Sequence, residues 1–231
     1  MKSLKRMLLV AVLLAVMPGA TVTAVTPSPT PAGNEAALTR LKTKGSAEID
    51  RRQKHLEAAL QKLETTTQIK TDDKAALIKL VKDQIAGLVA LKTKLAGETT
   101  VTAARADVAS IVSDYRVYAL TLPKARMIAS ADRFAVSQTK LTELYNKLAT
   151  KVGDDATLKA KLQHMQEQIT ASATASTNVI PQLLALQPTD YNANRAVLVQ
   201  YRASLKAAHD ALKLAREDAK FIIDELKPHT H

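Results

Sequence analysis

Nine residues between Leu158 and Leu186 recur in alternating steps of four and three: Leu158, Leu162, Met165, Ile169, Ser172, Ser176, Val179, Leu183 and Leu186. Such spacing gathers side chains onto one stripe of a helix, whereas a strand, with its period of two, scatters them over both faces. The same rhythm runs through Ala104, Val108, Ile111, Tyr115, Tyr118 and Leu122, and after a jump of five residues through Met127, Ala131, Phe134, Gln138, Leu141, Tyr145, Leu148 and Val152. It returns in Leu198, Tyr201, Leu205, Ala208, Leu212, Ala215, Ala219, Ile222 and Leu226. No alternation of apolar and polar residues is long enough to form a sheet. The expected fold is therefore all-α: an elongated, antiparallel, coiled-coil-like bundle of about five long helices, one of them kinked at Pro123.

Local signals divide these stripes. A first helix is expected over 34–65, with Leu38, Gly45, Ile49, Leu56, Ala59 and Leu63 along one side. A second begins at "TDDKAAL", where Thr71 or Asp73 can cap free amides, carries Leu77, Val81, Ile85, Leu88 and Leu95, and stops at Gly97. The third runs from about Thr102 through Pro123 to the turn "VGDDAT", where Asp154 or Asp155 caps the fourth. Pro188 closes the fourth, "PTDYNAN" forms a loop, and Pro228 ends the last helix.

The first 33 residues do not share this pattern. Lys2, Lys5 and Arg6 precede an apolar run from Met7 to Met17, then Pro18 and Gly19, with Val22 and Ala24 as small residues. That order is the plan of a secretory signal, and cleavage is expected after Ala24. The run is too short for the roughly 20 apolar residues that cross a bilayer as a helix. "VTPSPTPAG", 25–33, reads as an extended spacer. The expected organisation is thus a signal over 1–24, the spacer over 25–33, a helical domain over 34–228 and a tail over 229–231, with the product released or held at the cell envelope.

Composition narrows the chemistry. There is no cysteine, which removes disulfides, thiolate metal sites and lipid attachment through an N-terminal Cys. Loss of Lys2, Lys5 and Arg6 lowers the formal charge from +11 to +8, so an exported product is drawn to anionic polymers: wall teichoic or acidic glycans, phospholipid head groups or extracellular nucleic acid. Aromatic residues make up only 3%, too few to offer stacking platforms to a single-stranded nucleic acid, and the charge is spread evenly. His55, His164 and His209 fall on different helices with no spacing that suggests a triad, and no paired acids stand ready for acid and base roles. His164 and Glu167 reverse half of a di-metal motif that has no second copy. No catalytic residue, cofactor or metal is assigned.

One stretch stands apart, "DYRVYALTLPKARMIASADR", Asp114 to Arg133. A proline there bends or ends the helix where the apolar stripe also rotates. Tyr115 and Tyr118 fall on the stripe, while Arg116, Lys124, Arg126 and Arg133 point outward or pair with Asp114 and Asp132. If the bend opens a groove, its rim carries the tyrosines and arginines that protein interfaces favour, so these six residues form the candidate binding surface. The recurring "LKTK" at Leu41 and Leu91, with "LKAK" at Leu158, offers a second, lysine-lined face to an anionic polymer.

With its signal, its Pro-Thr spacer, "YRVYALTLPKAR" and "TDYNANRAVL", the chain resembles a group of uncharacterised exported helical proteins of small-genome and Gram-positive-type bacteria. The resemblance implies architecture and no activity. The expected function is that of a non-enzymatic structural or binding bundle at the envelope, presenting a basic helical surface to a protein or anionic polymer. The alternative is a membrane-active protein whose amphipathic helices unpack onto lipid, making peripheral membrane contact.

Overall fold

The computed structural model describes residues 31–227; the expected signal, most of the expected spacer and the tail after Lys227 lie outside the described residues. Eight α-helices follow in order: α1 Pro31–Thr65, α2 Thr71–Gly97, α3 Val101–Ser113, α4 Leu122–Ala149, α5 Ala156–Ser176, α6 Val179–Ala185, α7 Pro188–Ala193 and α8 Val199–Glu225. A π-helical turn, Val117–Thr121, leads into α4. The fold is the all-helical bundle that the spacing predicts. Among the described residues no helix is long and apolar enough to cross a membrane.

Contacts between helices give the directions. Lys42 donates to the Ala96 carbonyl at 2.7 Å and Lys92 meets Asp50 at 2.5 Å, so α1 and α2 form an antiparallel hairpin. Residues ascending α1 meet residues ascending the third segment: Gly45 faces Val108 and Ile111, and His55 reaches Tyr118. The chain from α3 into α4 therefore runs parallel to α1 as one broken rod. Farther along, α5 returns antiparallel to α4, with Gln138 donating to Ser172 and Ser176. Antiparallel to α5 in turn runs α8, with Lys161 and His164 both on Asp218 at 3.0 and 2.5 Å.

Two apolar cores result. One holds Ile49, Leu56, Leu88, Ile111, Leu120, Ile128 and Leu183 among others; the second gathers Leu141, Leu158, Met165, Leu212 and Ile222. Phe134 packs against both, and α8 enters the first through Tyr201 and Leu205 before crossing into the second.

Several expected boundaries move. The third helix breaks at Arg116, whose φ of 43° lies in the left-handed region, and not at Pro123. Pro123 lacks an N–H and in a regular helix its ring would strike the carbonyl four residues back. The π turn just before it, with Thr121 N donating to Arg116 O and Leu122 N to Val117 O, widens the backbone there, so Pro123 sits in the first turn of α4. The nine-residue stripe is likewise interrupted: α5 ends at Ser176 and Asn178 has φ 60°. Val179 and Leu183 are still buried, on α6.

Pro188 begins α7 instead of closing a helix, "PTDYNA" is helical, and α1 starts at Pro31 inside the expected spacer. At α2 neither Thr71 nor Asp73 caps; Lys70 occupies the cap position without a side-chain bond. Asp155 does cap α5, accepting from Leu158 N at 2.9 Å. Five of the six lysines of the repeated motif are engaged within the fold: Lys42 on the Ala96 carbonyl, Lys92 with Asp50, Lys94 with the buried Asp107, Lys161 with the buried Asp218 and Lys159 with Asp154.

Candidate functional site

The broken rod and α1 run side by side without packing closely once past the break, and a trough of about 820 Å3 lies between them. Its α1 wall carries His55, Ala58, Ala59, Lys62, Leu63 and Thr66. Its other wall is built from Tyr118, Leu122 and Ala125, continuing through Arg126, Ala129 and Arg133. Gln68 and Ile69 of the α1–α2 loop close one end. The trough stays open because both helices turn alanines toward it, and a methyl group cannot fill the gap between helix axes that larger residues would occupy.

Tyr118 stands at the other end. Its hydroxyl lies 2.8 Å from His55 Nδ1, and the two rings meet edge to face with centroids 5.4 Å apart. The guanidinium groups of Arg51 and Arg52 lie 5.6 and 5.2 Å from the tyrosine ring centre, within cation–π range. Arg52 is buried and paired with Glu48, and burial holds its guanidinium below the ordinary value while the guanidinium remains the charged form. The sequence places Tyr118 on the buried stripe; in the structure the residue is 39% exposed, its side chain held against α1 by His55, Arg51 and Arg52.

The other five residues of the candidate surface divide. Arg126 and Arg133 are exposed on the trough wall, Arg133 donating to Ser130 Oγ at 3.1 Å. Tyr115 is half-buried against Gly87, and burial, reinforced by the Asp114 charge, raises its hydroxyl above the ordinary tyrosine value. Arg116 donates from Nε to Asn192 Oδ1 at 2.6 Å and lies over the Tyr191 ring, while Asn192 donates to the Ser113 carbonyl; α7 thus clamps the break. Lys124 does not point outward. It is buried and donates from Nζ to the Leu186 carbonyl at 2.9 Å, and burial lowers its pKa, partly opposed by the Asp190 charge.

Neither expected acid partner meets these cations. Asp114 accepts from Ser113 Oγ, and Asp132 is fully buried, its Oδ2 accepting the Lys70 main-chain N–H at 3.2 Å while Oδ1 is without a partner. Asp132 thus ties α4 to Lys70, the residue that precedes α2. Burial raises its pKa above the ordinary carboxylate value; Asp73 adds to the rise, and the Lys70 N–H and charge oppose it. The protonated form is favoured by folding, so this stabilisation is full below the unfolded carboxyl's pKa and is lost as pH rises through the folded value. Asp132→Asn keeps an acceptor for Lys70 and cannot ionise. Its melting temperature is expected to gain on the native chain's between pH 4 and pH 7, and a difference independent of pH would refute the assignment.

Ser172 and Ser176, polar positions on the α5 stripe, both accept from Gln138, and Ser176 also bonds back to the Ser172 carbonyl. They close on α4 through Gln138. Of the trough, sequence reasoning found Tyr118, Arg126 and Arg133 and missed His55, Lys62 and the four alanines. The alanines carry a weak signal, the i, i+4 pair Ala125 and Ala129 flanking Arg126; the α1 wall has none until the pairing of α1 with α4 is known. Compared with known proteins, the chain matches no family model, no curated protein and no solved structure.

Proposed function

We propose that the chain is an exported, non-enzymatic helical bundle acting as a binding protein at the cell envelope, and that it presents the trough between α1 and α4 to an anionic protein or polymer. The observation that carries this reading is the make-up of the walls: Lys62, Arg126 and Arg133 stand over an apolar floor, and no carboxylate lines the trough. Some cations elsewhere meet acids across helix interfaces, Lys92 with Asp50, Lys94 with Asp107 and Lys161 with Asp218, whereas Lys62, Arg126 and Arg133 pair with no acid among the described residues. The His55 and Tyr118 pair supports binding in preference to catalysis, since His55 Nδ1 is engaged by the phenol and no acid lines the trough to orient the ring.

The test is retention of the protein on envelope fractions at low and high salt. Attraction between exposed charges is screened within about 10 Å at 0.1 M salt, so the native chain is expected to bind at low salt and elute as salt rises. The Arg126→Glu/Arg133→Glu double variant is expected to lose most of that retention with unchanged circular dichroism. Equal retention of both proteins would remove the trough from the function.

A further inference from the structure

We infer that the partner is an acidic amphipathic helix of another protein, laid lengthwise in the trough; this rests on the reading that the trough is the binding surface. The geometry favours a helix over other anions. The α1 wall runs from His55 to Thr66 and the α4 wall from Tyr118 to Arg133, about 17 and 22 Å at 1.5 Å per residue. A guest helix of three to four turns matches that length.

Arg126 and Arg133 are seven residues apart on one face of α4, so their bases are separated by about 10.5 Å along the axis. Two carboxylates seven residues apart on a guest helix have the same separation, and each can meet one arginine. Between them the floor offers Ala58 and Ala59 on one side and Ala125 and Ala129 on the other. Small residues let a third backbone approach closely, and large apolar side chains at i, i+3 or i+4, and i+7 of the guest fill the space they leave. A polyanion has charge but nothing apolar to place on this floor. A single-headed lipid has an apolar chain but only one group for two arginines.

The experiment titrates the full chain with two capped 15-residue peptides of identical composition. In one, two Glu seven residues apart border a leucine stripe on the side that faces Arg126 and Arg133; in the other the same residues are scrambled. Polyphosphate and phosphatidylglycerol vesicles are titrated alongside. The patterned peptide is expected to bind at least about tenfold more tightly than the scrambled one, the effect of one charge-assisted pair. It is also expected to lose that advantage with Arg126→Glu/Arg133→Glu and with Ala58→Phe, which fills the trough without changing its charge. Ala129→Leu, a smaller filling on the opposite wall, is the second variant should Ala58→Phe disturb the fold.

Equal binding of the two peptides, or a patterned peptide indifferent to both filling variants, overturns the helix. Polyphosphate or vesicles bound through the arginines while the peptides are not would overturn it too, yet leave the trough as the binding surface. No effect of the arginine reversal on any probe would overturn that underlying reading.

Discussion

Replacing Leu212 with alanine is expected to lower stability by about 3 kcal/mol, within the 2–5 kcal/mol that buried leucine truncations cost. Leu212 is fully buried in the second core, and its neighbours on the inner face of α8 are Ala208, Ala211 and Ala215. Such side chains have no reach with which to refill the space, which argues against the low end of the range. For a chain of this size the loss corresponds to a fall in melting temperature of roughly 6–12 °C. The single transition should survive, because α8 passes through both cores, with Tyr201 and Leu205 in one and Leu212 and Ile222 in the other. Calorimetry provides the check: Leu212→Ala and Leu88→Ala, one in each core, should move the same peak. Two peaks, each shifted by only one of the substitutions, would show that the cores melt separately.

The inner face of that helix was legible from spacing. Every position of the α8 stripe from Leu198 to Ile222 is buried, and Leu226 is partly so. The reason is that the face of a helix follows from arithmetic on one segment, and burial of that face dominates the folding free energy. Where a helix stops is a different matter. Arg116 leaves the helical region without glycine or proline beside it, Asn178 does so three residues before Pro181, and the apolar rhythm continues past both.

What holds Arg116 in its left-handed conformation is the clamp from Asn192 and Tyr191, contacts that no local window contains. The burial of Lys124 has a similar origin, since the carbonyl that receives its ammonium belongs to Leu186, at the end of α6. Half of the trough was legible for the same reason. The α4 wall carries a visible concentration of arginine around a proline, whereas the α1 wall becomes a wall only once α1 is known to run parallel to α4.

Gly45 is the position where one added carbon is expected to matter most for each atom introduced. It lies in the middle of α1, where alanine would ordinarily gain about 1 kcal/mol over glycine from the smaller loss of backbone entropy. A Cβ there would stand 2.5 Å from Leu95 Cδ2 and 2.9 Å from Val108 Cγ2, at the place where α1, α2 and α3 meet. Both atoms are side-chain methyls, so the outcome depends on whether they can move. Leu95 is fully buried and Val108 is partly so and β-branched, which leaves few alternative rotamers. The clash therefore outweighs the helix propensity. Gly45→Ala is expected to be destabilising by about 1 kcal/mol net, and Gly45→Leu by about 3 kcal/mol, at the upper end of what overpacking a core costs. Chemical denaturation of the two variants measures this directly, with the midpoint falling from glycine to alanine to leucine. An alanine variant more stable than the native chain would mean that Leu95 swings aside, and that the close approach of the three helices does not require a glycine.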